Sequence, residues 1–161
     1  MLEQEFKKLI KEDKYQVFVF ESKAHFPFFF AAHPWFVINK KENISRYEVV
    51  FKKDCCPKKS FGHVHVDALP PHKGIRIFPT SFKNLFWKSR LIGFLEGGAN
   101  SSAEKAVYFI ENSKYTYPHL NKYVLTGPNS NTYLQWVLDA FPELNIKLSY
   151  RFIGKGYKTI L

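Results

Sequence analysis

The segment Gly127-Pro128-Asn129-Ser130-Asn131-Thr132 combines a turn, a helix start and a hydroxyl group that could act as a nucleophile. Glycine and proline change the direction of the chain, and Asn129 is a favourable N-cap for the apolar helical pattern that follows. Ser130 then falls in the first turn, where unpaired N–H groups and the helix dipole favour an anion. A serine placed there is suited to attack a carbonyl carbon. The same residues also suit a plain helix cap without a chemical role.

The residues His63, His65 and Asp67 alternate along one strand-like segment, so all three side chains can face the same side. Imidazole and carboxylate groups are common zinc ligands, and His72 lies nearby in the sequence. The arrangement forms a candidate metal half-site. The alternative is an ordinary amphipathic strand whose polar face lies in water. This alternative is favoured, so no metal and no cofactor are predicted.

Cys55 and Cys56 are the only cysteines, and they lie between Asp54 and Pro57-Lys58-Lys59. Adjacent cysteines rarely form a disulfide with each other because the geometry is strained, which agrees with a reducing compartment. The neighbouring lysines favour a lowered thiol pKa, but the sequence places no histidine beside the thiols. A catalytic cysteine is therefore the weaker hypothesis.

Six motifs, spread over most of the chain from about Phe30 onward, carry a family resemblance. They are His33–Val37, Arg46–Val49, Tyr117-Pro118, Gly127–Tyr133, Pro142–Leu144 and Ile153–Tyr157. They resemble the bacterial family of domains of unknown function numbered 3750, which carries a Gly-Pro-Asn-Ser-Asn-Thr-Phe motif and an Ile-Gly-Lys-Asp-Tyr ending. Tyr133 replaces the Phe of that motif, and Gly156 replaces the Asp, so no carboxylate role carries over to that position. The resemblance names a family without implying an activity.

The order of His33 and Ser130 along the chain carries a second, looser resemblance. In circularly permuted papain-like enzymes, such as the PPPDE peptidases and the lecithin retinol acyltransferase group, a histidine opens an early strand. The nucleophilic cysteine of those enzymes opens a later helix in an Asn-Cys-x-x-Phe segment. Here His33 precedes a strand-like run and Asn129–Tyr133 opens a helix, with Ser130 in the position of the cysteine. A serine differs from a thiol because it needs a well-placed base.

This second resemblance implies a role for each residue of the site. His33 is the implied general base, and Asn129 or Asn131 is an amide donor near the oxyanion. The candidate partner that orients the His33 ring is Glu48, since it lies on the next predicted strand and hairpin pairing would bring it alongside. The alternatives are a buried His33 bonded to backbone and a surface Glu48 paired with Arg46 or a lysine. The candidate catalytic residues are therefore His33, Ser130, Glu48 and Asn129, and the candidate binding residues are Asn131, Thr132 and Trp35.

Two functions from different classes fit these residues. The first is a hydrolase or acyl-transfer enzyme that acts on an amide or ester through Ser130 and His33. The second is a noncatalytic papain-like module that keeps the cleft and binds a peptide or a small molecule. The hydroxyl in place of a thiol favours the second function slightly. Both functions predict that His33 and Ser130 lie in one cleft.

The elements that must position these residues are predicted from apolar periodicity. Strands rich in Val, Phe and Tyr with short polar connections favour antiparallel pairing. We predict an α+β fold, an antiparallel sheet packed against helices that resembles a permuted papain-like arrangement, in a single domain over residues 1–161. The predicted helices are 3–12, 81–95, 100–114 and 129–141, and the predicted strands or extended segments are 15–20, 26–39, 45–52, 62–67, 74–78 and 122–126, with a weak strand pattern in 144–161.

The composition indicates a folded protein with an aromatic core. Of the 161 residues, 45% are hydrophobic and 18% are aromatic, and a chain of this length buries roughly two-thirds of its unfolded surface without a disulfide or metal. The charged start does not resemble a secretory signal, and the longest apolar run is about half a membrane span. We therefore expect a cytoplasmic location and no membrane span, and the oligomeric state stays open.

The net charge of +10 is expected to serve solubility rather than specific recognition of nucleic acid. Only four of the 24 basic residues are arginine, the residue that specific nucleic-acid readers use for base edges. We predict weak, salt-sensitive binding to DNA, RNA and anionic vesicles, measured by titration at increasing ionic strength. Tight binding at about 0.3 M salt, where charges more than roughly 6 Å apart are screened, would contradict this prediction.

Overall fold

The computed structural model describes residues 1–78 and 85–158, and its centre is a six-stranded antiparallel sheet. The strands are β1 (Tyr15–Lys23), β2 (Ala32–Lys40), β3 (Asn43–Val49), β4 (Ser60–Phe61), β5 (Val64–Val66) and β6 (Arg90–Gly97), in the order β4-β5-β3-β2-β1-β6. The helices are α1 (Glu3–Lys7), α2 (Ser102–Thr116) and α3 (Ser130–Ala140), followed by a 3-10 turn at Pro142–Leu144. The predicted α+β class, with an antiparallel sheet packed against helices, is confirmed.

Alternate residues of β2 divide between two hydrophobic cores, because successive side chains of a strand point to opposite faces. Phe36 and Ile38 belong to the larger core, which packs against α2 and α3. Trp35 and Val37 belong to a smaller core with Phe6 of α1. Burial of both faces explains why the sequence of β2 is a continuous apolar run instead of an alternating one.

The register of the sheet brings polar residues of three adjacent strands together. Phe36 of β2 pairs with Tyr47 of β3, so the start of β2 lies beside the end of β3. Glu48, the residue after Tyr47, pairs with His65 of β5. His33, Glu48 and His65 therefore lie near one end of the sheet.

Helix α2 forms as its apolar stripe predicts. Ala103, Ala106, Val107 and Ile110 recur at helical spacing, and each is at most 1% exposed. Ser101 is the N-cap and accepts a hydrogen bond from the backbone N–H of Glu104 at 3.2 Å. The helix covers the sheet face that carries the larger core.

Helix α3 begins at Ser130, and Asn129 is its N-cap, as predicted. The side-chain oxygen of Asn129 accepts hydrogen bonds from the backbone N–H groups of Asn131 at 2.9 Å and Thr132 at 3.3 Å. The Thr132 hydroxyl in turn accepts the backbone N–H of Asn129 at 3.2 Å, which closes a capping box. The predicted bond between the Asn129 side chain and the first turn is confirmed.

The Asn129 side chain also joins two segments that precede and follow α3. Its Nδ2 donates to the carbonyl oxygens of Leu125 at 2.7 Å and Val124 at 3.3 Å, and to that of Ile153 at 3.1 Å. Gly154 makes this approach feasible, since its φ of 90° and a Cβ only 2.6 Å from Nδ2 would both disfavour a larger residue. Asn129 therefore ties the start of α3 to the C-terminal segment.

The helix predicted for residues 81–95 is wrong at its C-terminal end. Residues 90–97 form β6, which pairs with β1 along most of its length. Leu91, Ile92 and Leu95 satisfy helical spacing, but pairing with β1 decides the structure, since tertiary contacts override local propensity. Residues 79–84 lie outside the described part of the chain.

Five other segments differ from the prediction. Helix α1 ends at Lys7 instead of residue 12. Residues 26–31 form a loop before β2, because Pro27 has no N–H group to donate to a strand ladder. Residues 74–78 contain one isolated bridge, Arg76 with Phe86, instead of a strand. Residues 122–124 form no strand, and Leu125 and Thr126 form a turn closed by the N–H of Gly127 on Val124 O at 2.9 Å. The described part of the tail, 144–158, contains turns and no strand.

No helix within the described ranges, 1–78 and 85–158, is long and apolar enough to cross a membrane.

Asn129→Ala is expected to destabilise the fold more than the loss of an ordinary cap does. A cap alone contributes about 1 kcal/mol, and the three carbonyl contacts of Asn129 add to it. We therefore expect the free energy of unfolding to fall by about 2–3 kcal/mol. Ser101→Ala removes the plain cap of α2 and is the matched control, with an expected loss of about 1 kcal/mol. Urea denaturation measures both values.

Asn129→Asp separates the two roles of this side chain, because a carboxylate keeps the cap and removes the Nδ2 donor. We expect this variant to unfold at a lower urea concentration than the unmodified chain. Equal stability of the two proteins would show that the carbonyl contacts contribute nothing.

Candidate functional site

One cavity of about 680 Å³ brings together the residues predicted to share a cleft. His33 at the start of β2 and Glu48 near the end of β3 line it. Asn129, Ser130 and Asn131 line it from the cap and the first turn of α3. The end of the sheet and the start of α3 therefore form walls of the same cavity.

His33 is bonded directly to the carboxylate of Glu48. The distance between His33 Nε2 and Glu48 Oε2 is 3.1 Å, and both side chains are buried. An ionised carboxylate only accepts hydrogen bonds, so Nε2 carries the proton and Nδ1 of the neutral ring keeps a free lone pair. Each alternative holds in part: His33 is buried but bonds to a side chain instead of backbone, and Glu48 pairs with Arg46 but is buried instead of lying at the surface.

Arg46 holds the Glu48 carboxylate from its other side. Its Nη2 donates to Glu48 Oε2 at 2.8 Å, and its Nη1 donates to the carbonyl oxygens of Pro70, at 2.9 Å, and Lys73. The guanidinium carbon lies 4.2 Å from the ring centroid of Trp35. Arg46 is fully buried, so its charge is compensated by these groups and not by water.

The charges around Glu48 determine its ionisation. Burial raises the pKa of the Glu48 carboxyl, but Arg46 and His33 outweigh that effect and lower the pKa to about 2. Glu48 is therefore an anion at neutral pH, as an orienting partner for an imidazole must be.

Ser130 is the first residue of α3 and is 3% exposed. The N–H groups of Asn131 and Thr132 bond to the Asn129 side chain, and that of Tyr133 bonds to the Asn129 carbonyl at 3.0 Å. Among the described residues, the backbone N–H of Ser130 has no acceptor. This N–H group and the helix dipole favour an anion at the Ser130 hydroxyl.

Tyr123 is a neighbour of Ser130 that the sequence did not single out. Burial raises the pKa of the Tyr123 phenol, and an interaction with the Ser130 hydroxyl opposes that rise. Tyr123 lines the cavity beside Ser130. The sequence offers no signal for this contact, because residues 122–126 form no strand or helix and their side-chain directions depend on the fold.

The amide side chains have different roles in the structure. The Nδ2 group of Asn129 is directed to three carbonyl oxygens, so it is occupied by structural contacts. Asn131 Nδ2 donates to Ile153 O at 2.8 Å, whereas its buried Oδ1 has no partner in the described part of the chain. Thr132 donates its hydroxyl to Gly154 O at 2.7 Å and lines a second cavity of about 610 Å³.

Trp35 does not line the cavity, although the sequence places it among the binding residues. It is fully buried, its ring stacks on Phe20 with centroids 5.6 Å apart, and its Nε1 donates to Pro71 O at 2.9 Å. In the structure, the Trp35 ring packs against the guanidinium group of Arg46.

The rim of the cavity is apolar and exposed. Phe26, Phe28, Phe51 and Leu125 line it, with Phe51 76% exposed and Phe26 54% exposed. Large exposed aromatic side chains grouped at one opening commonly mark a binding surface. The rim therefore suits a ligand with an apolar part.

Cys55 and Cys56 line the same cavity, and His65 joins them. Cys55 Sγ lies 3.8 Å from His65 Nδ1 and 3.1 Å from Cys56 Sγ. The predicted lowering of a thiol pKa by lysines is wrong for Cys55: burial and then Cys56 raise its pKa, and Lys52 and Ser60 oppose this. The position of His65 beside the thiols could not be predicted from the sequence, because it depends on how the turn after β3 folds back on β5.

The amphipathic interpretation of this segment holds only in part: Val64 and Val66 pack on the larger core and Asp67 is exposed, but the two histidines are buried. His65 is 2% exposed and His63 is 7% exposed. His63 Nδ1 bonds to Val50 O at 2.9 Å, and Asp67 Oδ1 accepts the backbone N–H of Arg46 at 2.7 Å. His63, His65 and Asp67 thus have separate partners and form no common site.

Glu48 is predicted to stay ionised far into the acid range. Its folded-state pKa of about 2 lies below the ordinary 4.5. A depressed carboxyl pKa contributes stability that is complete above about pH 4.5 and is lost as the pH falls towards 2. The contribution is on the order of 3 kcal/mol. Titration of the carboxyl carbon by NMR measures the pKa, and urea unfolding at each pH measures the stability.

Arg46→Gln tests the physical cause of the shift. Without the guanidinium, burial acts largely unopposed, so the pKa of Glu48 should rise well above 2. A carboxyl group that titrates near 4.5 in the unmodified chain would contradict the role given to Arg46.

Comparison with known proteins gives one match. The family model described as "Protein of unknown function (DUF3750)" matches residues 14–157. A search of curated proteins and a search of solved structures found no match. The matched segment contains His33, Glu48, Ser130 and all six strands of the sheet. Because the match covers most of its length, the chain belongs to the protein family of unknown function DUF3750.

Proposed function

We propose that this protein is a hydrolase or acyl-transfer enzyme that acts on an amide or ester through Ser130 and His33. The observation that carries the proposal is that an anionic Glu48 holds His33 in the wall of the cavity that Ser130 also lines. A strand-borne histidine and a nucleophile at a helix start also support a permuted papain-like arrangement. The two free cysteines are consistent with a cytoplasmic location.

Proton transfer from Ser130 to His33 is the first step of the proposed reaction. Glu48 accepts a hydrogen bond from the Nε2–H group of His33, so Nδ1 is the basic nitrogen that removes the hydroxyl proton of Ser130. The Ser130 oxygen then attacks the carbonyl carbon of the substrate and forms a tetrahedral oxyanion. The resulting imidazolium is stabilised by the Glu48 carboxylate.

The start of α3 stabilises the oxyanion in this proposal. The backbone N–H of Ser130 and the positive end of the helix dipole are the donors that α3 offers. The imidazolium returns its proton to the leaving alcohol or amine, which leaves an acyl group on Ser130. Water completes a hydrolysis, and another alcohol, amine or thiol completes an acyl transfer.

Asn129 acts as a positioning residue in this proposal rather than as an oxyanion donor. Its amide protons are directed to the carbonyl oxygens of Val124, Leu125 and Ile153. Asn131 lines the cavity, and its buried carbonyl oxygen is unpaired among the described residues, so a ligand that displaced its cover could donate an N–H or O–H group to it. The aromatic rim favours an acyl part that is largely apolar.

The second candidate function is a noncatalytic module that binds a peptide or a small molecule. One observation favours it: the hydroxyl of Ser130 is buried and interacts with the phenol of Tyr123. A buried hydroxyl is less available for attack. The cavity, the unpaired Asn131 oxygen and the apolar rim serve binding equally well.

A fluorophosphonate probe, which phosphonylates activated serines, distinguishes the two functions. We expect the probe to label Ser130, as located by peptide mass spectrometry, and His33→Ala to reduce the labelling rate at least about 100-fold, because general base catalysis typically contributes that much. Glu48→Gln should reduce the rate as well, since the ring loses the carboxylate that orients it.

Ser102 is the matched control for this experiment. It is the first residue of α2, as Ser130 is of α3, but it does not line the cavity. We expect no labelling of Ser102, and Ser102→Ala should leave the labelling of Ser130 unchanged. If folded protein is labelled at neither serine, the catalytic proposal fails. Labelling of Ser130 that survives His33→Ala would remove His33 as the base.

A further inference from the structure

Cys55, Cys56 and His65 bring three metal-ligating atoms together in the cavity wall. The two sulfur atoms and one imidazole nitrogen all lie within 4.8 Å of one another. All three residues line the cavity, and none of them has a part in the reaction proposed for Ser130. Thiolate and imidazole are the ligands that Zn²⁺ prefers in proteins.

The backbone fixes the His65 ring in the orientation of a ligand. His65 Nε2 lies 2.9 Å from the carbonyl oxygen of Lys52, to which only a protonated nitrogen can bond. Nδ1 of the neutral ring is then the free nitrogen, and it faces Cys55 Sγ at 3.8 Å. A second ring nitrogen that donates to a backbone carbonyl is the usual support for a histidine bound to metal.

The loop after β3 supplies the two thiols, and hydrogen bonds hold its shape. The N–H of Asp54 donates to Gly62 O at 3.1 Å, and that of Cys56 donates to the Ser60 hydroxyl at 3.0 Å. These bonds set the cysteine pair against β5. The ligand atoms therefore meet through tertiary structure and not through a local Cys-x-x-Cys spacing.

The distances suit a tetrahedral ion after a small adjustment. Zinc–ligand bonds of about 2.3 Å to sulfur and about 2.0 Å to nitrogen require roughly 3.6 Å between sulfur and nitrogen, and roughly 3.8 Å between two sulfur atoms. The Cys55–His65 distance of 3.8 Å is already close to its value. The sulfur atoms, 3.1 Å apart, must separate by about 0.7 Å, which small rotations of the side chains provide.

We propose that Cys55, Cys56 and His65 form a binding site for Zn²⁺, whose fourth coordination position faces the cavity. Two thiolates neutralise the charge of the ion, and the two thiol protons are released to solvent when it binds. Three protein ligands with one open position match the arrangement of zinc sites that bind water or a substrate. The site is independent of Ser130 and holds whether or not that serine reacts.

Co²⁺ tests the proposal, because its absorption spectrum reports both geometry and ligands. The full chain is reduced, freed of reductant under anaerobic conditions and titrated with Co²⁺. We expect one equivalent to give the strong visible bands of a tetrahedral ion and a thiolate charge-transfer band, and we expect Zn²⁺ to displace it. A weak octahedral spectrum, or no binding by the reduced chain, would overturn the proposal.

His63 and His65 form a matched pair of variants, because both belong to the segment whose alternating pattern suggested a metal. We expect His65→Ala to weaken Zn²⁺ binding by more than about 100-fold. This loss exceeds the one typical of removing a residue that only hydrogen-bonds to a metal ligand. His63→Ala should leave the affinity nearly unchanged, since the His63 ring bonds to Val50 O. Equal affinities for the two variants would place the ion elsewhere.

Thiol protection gives a second measurement that needs no variant. The chain contains only two cysteines, so total alkylation reports on this pair alone. We expect one equivalent of Zn²⁺ to slow the alkylation of both thiols, with recovery after chelation. If Zn²⁺ protected neither thiol, the site would be refuted. It would also be refuted if the thiols were lost only because they form a disulfide and the reduced chain took up no metal.

Discussion

The buried ion pair of Arg46 and Glu48 is the constraint on which the end of the sheet depends. Both groups are removed from water, and a buried charge that loses its partner typically destabilises a protein by about 3–5 kcal/mol. Its Nη1 therefore donates to the carbonyl oxygens of Pro70 and Lys73, whereas its buried Nε has no acceptor among the described residues. Satisfying one charge thus fixes the segment around Pro70, the ring of Trp35 and the orientation of His33.

Asn129 provides the corresponding constraint at the start of α3. The oxygen of its side-chain amide accepts a hydrogen bond from the first turn of the helix. The nitrogen of the same amide donates to carbonyl groups of the segments before and after the helix. The wall that carries Ser130 therefore depends on Ile153 and Gly154, which lie far along the chain from the sheet residues. The cavity forms between two parts of the chain, each held by a buried polar residue that bonds both to near neighbours and to a carbonyl group 24 positions away.

The sequence predicts most elements near the cavity and fails where non-local pairing decides. Strands β1 to β3 and helices α2 and α3 have strong local patterns, and the N-cap role of Asn129 follows from residue type alone. β6 has an apolar spacing that also fits a helix, and only its pairing with β1 makes it a strand. The direct bond between His33 and Glu48 follows from the hairpin that was expected, whereas contacts of Tyr123 and Cys55 depend on loops that no periodicity describes.

The carboxylate that holds His33 is shared with Arg46. Arg46 and His33 share one oxygen of Glu48, at 2.8 and 3.1 Å, so the negative charge that would stabilise an imidazolium is already partly neutralised. The same two partners lower the pKa of Glu48 to about 2 against the opposing effect of burial. A thiol tolerates a weak base because it ionises near neutrality, but a serine does not. Arg46 therefore keeps Glu48 ionised and at the same time shares the carboxylate charge on which the proposed reaction of Ser130 relies.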